Sequence, residues 1–345
     1  MKEAFINATI LDPSKNKEFI GDVIIEKDKI VDIGPNLHKK EKPKNYIRIN
    51  DCKGLCLCPG LIDMRVSLRE PGSEHKENMK SGSEAAFAGG ITTLVCLPNT
   101  DPVIDNVSVA HFVQKRAKEV SKINLYTYGS ITKNFDGKNL SEIGLLTEAG
   151  VKGFTDATKA IDDTSVLKRA LEYSKVFNCL IIQFPEDRSL ASNGVMNAGE
   201  ISTRLGLPGI PKEAEVIVIE RDLRLVELTN AKYHVSCVST AESVEVIKKA
   251  KEKGLKVTCD TSPQYFTLNE QAIEDYRTFT KVSPPLRSEE DRIAIIKGLK
   301  DGIIDAIQSD HTPQDEDNKR LPFISAEKGI IGLETLLPLS LELYH

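Results

Sequence analysis

Polar and ionisable side chains recur directly after the apolar runs of this chain, where a site for chemistry could form. Arginine presents a planar fork of donors that suits a carboxylate, and aspartate can take up or return a proton during a reaction. If the runs are parallel strands of one barrel, their carboxyl ends share one rim, and these side chains would gather there. Their repeated occurrence therefore predicts a binding or catalytic site at that rim. The residues concerned are Arg65, Ser67, Arg69, Asn99, Asp156, Glu186, Cys237, Ser262, Asp310 and His311.

Cysteine and histidine, the commonest ligands of transition metals, are few. The seven cysteines are an odd number, and without a secretory signal they indicate reduced thiols. The run Cys56–Cys58 has the residue types of a metal site, but the favoured interpretation is a set of free thiols that pack as small apolar groups. Cys96, Cys179, Cys237 and Cys259 fall in apolar, strand-like runs and support that interpretation.

The elements that must position these side chains follow a regular order. From residue 60 onward, short apolar runs alternate with longer segments of helical period. Eight such runs predict an α/β fold of the (β/α)8 barrel class. An open doubly wound sheet is the competing hypothesis, and the absence of a Gly-x-Gly-x-x-Gly turn after an early strand weakens it. The predicted strands are Leu61–Val66, Thr92–Leu97, Asn124–Ser130, Val151–Thr155, Cys179–Phe184, Tyr233–Val238, Leu255–Asp260 and Ile303–Ser309.

The two ends of the chain differ from this pattern. Residues 1–55 contain short β-branched runs separated by turn residues, which predict a small β unit. The segment GIIGLETLLPLSLELYH near the other end predicts the final barrel helix, and Thr312–Arg320 is predicted to be a loop. We therefore expect two domains, at residues 1–55 and 56–345.

Composition excludes several classes of protein. Forty per cent hydrophobic and 28% charged residues, with a formal net charge of −5, are typical of a soluble globular chain. No stretch approaches the ~18 apolar residues of a membrane span, and the first residues lack a signal-peptide core. The lysines are scattered along the sequence, so nucleic-acid binding is not expected. These features predict a cytoplasmic protein without a membrane or nucleic-acid partner.

Several ordered motifs of the chain resemble the dihydroorotases of the cyclic amidohydrolase superfamily. The likeness begins in PGLIDMRVSLREPGSEHKE and AAFAGGITTLVCLPNTDPVID, and it continues through GVKGFTDATKAIDD and HVSCVSTAESVEVIKKAKEKGLKVTCDTSPQYF to DGIIDAIQSDHTPQ. It covers nearly the whole chain. The resemblance implies a metal-dependent (β/α)8 barrel with a small β-sandwich built from both chain ends. Residues 1–55 would be its amino-terminal half, and we expect the carboxy-terminal strands to be absent.

The resemblance also implies a zinc site, and this chain departs from the family at that site. Dihydroorotases interconvert N-carbamoyl-aspartate and dihydroorotate with zinc-activated water, and an aspartate at the end of the eighth strand handles the proton. The family's four histidine ligands are replaced, two of them in His-x-His, whereas both aspartates are retained. The corresponding positions are Arg65, Ser67, Asp156, Phe184, Cys237 and Asp310.

These replacements oppose metal binding. Arg65 would place a permanent cation where the divalent metal belongs, and Phe184 cannot coordinate. We expect Arg65 to pair with Asp310 or Asp156 and to fill the site with an internal ion pair. Asp310 would then be retained but idle, and the chain would hold no zinc.

Two remaining histidines could in principle replace a lost ligand. His234 lies three residues before Cys237, and strand alternation predicts that it packs away from the barrel centre. His311 follows Asp310 directly and is likewise expected to point elsewhere. A displaced ligand at either position is the less favoured hypothesis.

The substrate side of the resemblance is mixed. Arg69 and Asn99 match family residues that grip the substrate carboxylate. Ser283 and Gln314 stand where the family usually has asparagine and histidine. Arg69 and Asn99 are therefore the candidate substrate-binding residues, and retention of the two turns for structural reasons is the open alternative.

Three functions remain in competition. The first is a non-catalytic dihydroorotase homologue that partners aspartate transcarbamoylase or associates with itself. The second is an active dihydroorotase with an altered zinc site. The third is a binding module for a carboxylate metabolite. The replacement of four ligands at once favours the first, because residues of one catalytic site act as a unit.

Overall fold

The computed structural model describes residues 2–40 and 46–344. They form two compact units, which divide between Leu61 and Ile62. None of the helices within the described ranges has the length and apolar character needed to cross a membrane.

The first unit is a five-stranded sheet. Its strands are β1 (Lys2–Asp12), β2 (Lys17–Glu26), β3 (Lys29–Gly34), β4 (Tyr46–Asp51) and β5 (Cys56–Leu57). The strand order is β3-β2-β1-β4, and β5 pairs with β1 as well. β1 is antiparallel to β2 and parallel to β4 and β5. β3 therefore lies at one edge of this sheet, and β4 and β5 share the other edge.

The second unit contains nine further strands. They are β6 (Leu61–Val66), β7 (Ile91–Cys96), β8 (Asn124–Thr127), β9 (Ile181–Gln183), β10 (Met196–Asn197), β11 (Gly209–Ile210), β12 (Tyr233–Val235), β13 (Val257–Thr261) and β14 (Ala306–Ile307). β10 and β11 form a separate parallel pair. The other seven strands lie at seven of the eight predicted positions.

Helices follow most of these strands. They are α1 (Met79–Ala88), α2 (Val107–Val120), α3 (Ile143–Glu148), α4 (Thr164–Val176), α5 (Arg188–Ala191), α6 (Glu200–Leu205), α7 (Glu213–Thr229), α8 (Ala241–Glu252), α9 (Gln264–Thr267), α10 (Glu289–Lys300), α11 (Glu316–Lys319) and α12 (Leu336–Leu341). Side chains at several amino termini accept backbone hydrogen bonds, as Asn78, Asp163 and Ser288 do. These caps fix where the helices begin.

Single bridges close the sheet into a barrel. β6, β7 and β8 form one run, and β9, β12, β13 and β14 form another. Phe154 joins the two runs through parallel bridges to Gly129 and Ile181, and Val66 bridges to His311 at the other junction. Phe154 thus occupies the place of the predicted strand Val151–Thr155. The predicted (β/α)8 barrel is confirmed, with all eight strand positions in chain order around the ring.

The predicted final helix is too long at its amino-terminal end. α12 begins only at Leu336, because a turn at residues 333–335 precedes it and the segment before that turn is held against His311. Ile330 bridges to His311, and the Gly332 amide donates to His311 Nδ1 over 3.2 Å. The predicted loop Thr312–Arg320 contains one short helix, α11.

Candidate functional site

Arg65 occupies the centre of the barrel mouth. It lies next to the carboxyl end of β6, and only 2% of its surface is exposed. Its Nε donates to Asp310 Oδ1 over 3.0 Å, and its Nη1 donates to Ser236 Oγ over 3.3 Å. Its guanidinium carbon stands 5.1 Å from the ring centroid of Phe184, within cation–π range. The expected ion pair of Arg65 is therefore present with Asp310 and not with Asp156.

Both carboxylate oxygens of Asp310 are engaged by neighbouring side chains. Arg65 holds Oδ1, and Gln264 Nε2 donates to Oδ2 over 3.2 Å. Burial raises the pKa of Asp310 to about 6, against the opposing effect of the Arg65 charge. Asp310 is thus a buried carboxylate that already has a cation for a partner.

Asp156 accepts hydrogen bonds from the loop that follows β8. It accepts hydrogen bonds from the amides of Ile131 and Thr132, over 2.8 and 3.0 Å, and from the Thr132 hydroxyl. Burial raises its pKa to about 6. Because three donors already surround the carboxylate, Asp156 shapes this loop and does not reach towards Arg65.

Cys237 is a buried thiol with an unusual backbone. Its φ of 59° lies in the left-handed region, so the strand alternation of β12 does not continue through it. Its amide donates to Asp260 Oδ1 over 2.6 Å, and its sulfur accepts from Gln308 Nε2 over 3.1 Å. Burial raises the pKa of the Cys237 thiol well above its usual range, so the thiolate that zinc prefers is disfavoured.

The prediction that His234 packs away from the barrel centre is wrong. Its Nε2 lies 2.9 Å from Asp260 Oδ2, and its Nδ1 lies 2.8 Å from Thr258 Oγ1. Asp260 in turn receives hydrogen bonds from Ser236, which contacts Arg65. The inference from alternation failed because the turn at Cys237 breaks it, so the faces of residues 234 and 237 cannot be related by counting.

His311 does point away from the mouth, as expected. Its Nε2 lies 3.3 Å from Glu77 Oε2, and its Nδ1 accepts from the Gly332 amide. His311 therefore joins the eighth strand position to segments outside the barrel centre, and it is not a substitute metal ligand for Asp310.

A cavity of about 290 Å³ opens above this buried centre. Arg69 and Asn99, the candidate substrate-binding residues, both line it, and so do Ser67, Glu186 and Asp310. The remaining lining residues include two that depart from the family pattern, Ser283 and Gln314.

The guanidinium of Arg69 is incompletely paired inside this cavity. Its Nε is buried without a hydrogen-bond partner, and its Nη2 has only a long contact of 3.4 Å with the Pro313 carbonyl. Burial lowers the pKa of Arg69. Asn99 Nδ2 donates to Ser67 Oγ over 3.1 Å. Arg69 therefore keeps one buried donor without a partner beside the cavity, whereas the Asn99 amide already donates to Ser67.

The residues at the barrel centre do not fit a zinc ion. Zinc binding requires neutral imidazole, thiolate or carboxylate donors that converge on one point. Across residues 2–40 and 46–344, no three His, Cys, Asp or Glu side chains are placed to hold a metal. The Arg65 guanidinium, rather than a group of donors, faces Asp310. The chain's own residues here form an ion pair and a polar network, and a chain without zinc stays a prediction.

The polar neighbours of Arg65 were not identified from the sequence. Ser236, Asp260, Gln264 and Gln308 join the ion pair to the strands around it. Their positions near strand ends, in VSCVS, CDTSPQ and IQSD, were the available signal. Ser262, which was predicted at the rim, is buried and does not line the mouth cavity.

Comparison with known proteins gives the same family by a family model and by individual relatives. The family model described as "Dihydro-orotase-like" matches residues 54–243. A dihydroorotase of Ehrlichia chaffeensis is 46% identical over 343 residues, which cover 99% of this chain and 76% of that protein. A dihydroorotase of the Wolbachia of Brugia malayi is 44% identical over 345 residues, which cover 100% of this chain and 77% of that protein.

Solved structures share the fold at lower identity. The L-hydantoinase (dihydropyrimidinase) of Arthrobacter aurescens matches with a TM-score of 0.85 and 23% identity, covering 98% of this chain and 76% of that one. The dihydropyrimidinase of Brevibacillus agri matches with a TM-score of 0.80 and 24% identity, covering 99% of this chain and 76% of that one. These likenesses establish the shared barrel architecture.

Proposed function

Because the chain belongs to the dihydro-orotase-like family of pyrimidine biosynthesis, we propose that it is a non-catalytic member of that family. It would act through a protein partner rather than through its own barrel mouth. The observation that carries this proposal is the buried pair of Arg65 and Asp310, joined over 3.0 Å. Its chemical consequences can be followed at the metal position, at the proton-handling residue and at the ligand cavity.

The first consequence concerns the attacking water. The reaction of the family relies on a metal that lowers the pKa of bound water and polarises the amide carbonyl. Arg65 supplies positive charge at the mouth, but a guanidinium has no open coordination position and does not lose its proton at neutral pH. The charge would be present without the hydroxide, so the ring-opening step would have no nucleophile.

The second consequence concerns proton transfer. A general acid or base must be free to meet the reacting group. Asp310 has Arg65 on one oxygen and Gln264 on the other. A carboxylate held in this way stabilises the barrel mouth and is poorly placed to exchange a proton with a ligand.

An active dihydroorotase with an altered zinc site is the alternative. It is favoured by the retained residues Asp156, Asp310, Arg69 and Asn99 and by the identity to dihydroorotases. It would require Arg65 to leave the buried pair, and separating a desolvated ion pair is costly. Asp156 would also have to release the hydrogen bonds that it now accepts from the loop amides.

Aspartate transcarbamoylase is the partner that we propose, with self-association as the second possibility. The choice rests on the resemblance to non-catalytic dihydroorotases. The structure of the first unit also supports binding to another chain, because its edge strands carry exposed apolar side chains. Ile30 on β3 is 60% exposed and Ile47 on β4 is 67% exposed. Exposed strand edges with apolar side chains tend to pair with other chains.

We expect the chain to co-elute with aspartate transcarbamoylase after co-expression, as measured by size-exclusion chromatography at micromolar concentration. The double variant I30K/I47K places charges on both edge strands and should abolish co-elution. The matched control V176K/L228K changes two exposed apolar residues on α4 and α7, and should co-elute like the wild type. Separate elution of the wild-type chain, with a transcarbamoylase that is fully assembled and active alone, would contradict this partnership.

In that event the carboxylate-binding module becomes the leading function. It is favoured by Arg69, which lines the mouth cavity and has a buried Nε without a hydrogen-bond partner. Dihydroorotate and N-carbamoyl-aspartate would then each raise the melting temperature of the wild-type chain but not of R69Q. An equal shift in R69Q would place the ligand elsewhere and remove the support for this candidate.

A further inference from the structure

The end of the barrel opposite the mouth carries two adjoining grooves, of about 510 and 630 Å³. Lys152 lines both. Lys118 lines the first groove, and Lys232 and Lys256 line the second. Lys232 and Lys256 directly precede β12 and β13, so they mark the amino ends of the barrel strands. We call the surface bounded by these four lysines the basal groove.

The basal groove is basic although the chain as a whole is acidic. Its described lining residues include four lysines and contain no Asp, Glu or Arg, whereas the formal net charge of the chain is −5. Within the described ranges, none of the four lysines lies within 4.0 Å of a carboxylate. Lys152 Nζ stands 4.4 Å from the ring centroid of Tyr126. A surface of this kind attracts negative charge.

The floor of the second groove, the larger part of the basal groove, is apolar. Val151, Phe177, Leu180 and Leu255 line it between the lysines. These side chains are only partly covered by the protein's own elements, apart from the buried Val151. A ligand that matches both features must carry negative charge at its edges and apolar groups towards the floor.

We propose that the basal groove binds an acidic, amphipathic polypeptide segment of a partner protein. Nucleic acid fits it less well, because the described lining residues contain no arginine, the side chain whose planar fork recognises phosphates bidentately. A long polyanion would also meet the repulsion of the acidic remainder of the chain. The inference goes beyond the proposed function, since it concerns the opposite end of the barrel and holds whether or not the mouth is catalytic.

A purely structural role for the lysines makes a different prediction. α3, α7 and α8 end shortly before Lys152, Lys232 and Lys256, and a cation near a helix carboxyl terminus stabilises that helix. Lysines that serve only the helix ends would lower the melting temperature when replaced, without any effect on peptide binding.

The test measures fluorescence anisotropy of a labelled peptide of Glu-Glu-Leu repeats against the full-length chain. We expect saturable binding that weakens with added salt. The variant K152E/K232E/K256E should bind about tenfold more weakly, through the loss of three surface charge pairs. The control K80E/K297E/K300E makes the same change of charge at exposed lysines outside the basal groove and should bind like the wild type.

Three results would overturn the proposal. The first is no binding of the Glu-Glu-Leu peptide by the wild-type chain, and the second is equal weakening in the two triple variants. The third is tighter binding of a labelled single-stranded DNA oligonucleotide than of the peptide. If the charge reversals prevent folding, K152Q/K232Q/K256Q removes the same positive charges without adding negative ones, and it should still weaken binding severalfold. A Gln-Gln-Leu peptide should not bind.

Discussion

Replacement of Arg65 by methionine is expected to lower the free energy of unfolding by about 3–5 kcal/mol. The substitution keeps a long side chain but removes the cation from a buried pair in which Arg65 is 2% exposed and Asp310 is 5% exposed. Asp310 would then be a buried carboxyl group without its counter-charge, and the hydrogen bond to Ser236 would be lost as well. Urea denaturation of both proteins at neutral pH measures the difference.

The pH dependence of this loss identifies its cause. Burial raises the pKa of Asp310 to about 6, so below that pH the folded protein holds a neutral carboxyl group there. The pair then has little charge attraction to lose, and the difference between wild type and R65M should narrow as the pH falls through about 6. A difference that stays constant from pH 5 to 8, about one unit or more to either side of that pKa, would indicate lost packing instead.

An exposed arginine provides the control for Arg65. Arg204 pairs with Glu274, and both side chains are more than half exposed. R204M should therefore change the free energy of unfolding by no more than about 1 kcal/mol. A similarly small change for R65M would contradict the structural importance of the buried pair, whereas R65K should fall between the two because it keeps the charge and loses the planar fork.

Dihydroorotate hydrolysis by the purified chain is expected to be at least about a thousandfold slower than that of an active family member. The reason is that the proposed function leaves no metal beside Arg65 to generate hydroxide, and Asp310 is already engaged by Arg65 and Gln264. The rate is followed by the absorbance of dihydroorotate with added zinc, and the dihydroorotase of Ehrlichia chaffeensis serves as the reference in the same assay. D310N should leave the residual rate unchanged, because an idle residue contributes nothing to it.

The opposite outcome has a clear signature. A rate within about tenfold of the reference, which corresponds to little more than 1.4 kcal/mol in the activation barrier, would establish the active enzyme as the correct function. It should then fall on chelation, recover with zinc and be abolished in D310N. Such a result would also require the Arg65 side chain to move out of the barrel centre.

The barrel and its central ion pair were largely predictable from the sequence. The eight apolar runs specify the strand positions because buried parallel strands need continuous apolar residues. Arg65 and Asp310 end the first and eighth strand positions, which are neighbours only when the sheet closes. The pairing could therefore be predicted once closure was assumed, but its choice of Asp310 over Asp156 could not. That choice depends on the loop amides of Ile131 and Thr132, because they donate hydrogen bonds to Asp156.

Other features depended on backbone geometry that residue types do not reveal. The predicted direction of the His234 side chain rested on strand alternation, and this alternation fails at the left-handed residue Cys237. The start of α12 was displaced because His311 fixes the preceding segment by a bridge and a hydrogen bond. In both cases a tertiary contact or a single backbone angle outweighed the local pattern.

The basal groove illustrates a third limit. Its four lysines lie up to 138 positions apart along the chain, since Lys118 and Lys256 are its outermost members. They therefore look scattered in the sequence. Parallel strands bring their amino ends together at one end of the barrel, so charges that are distant along the chain can form one surface. The sequence alone predicts such a surface only when the register of all eight strands is known.

Metal content is the most direct test of the claim that a guanidinium stands where the family places zinc. The chain should be expressed and purified with zinc supplementation, dialysed, and measured by elemental analysis beside the Ehrlichia chaffeensis dihydroorotase. We expect the reference to retain zinc and this chain to retain far less than one ion per molecule. One or two tightly held zinc ions per chain, lost in D310N, would show instead that the barrel centre is a metal site.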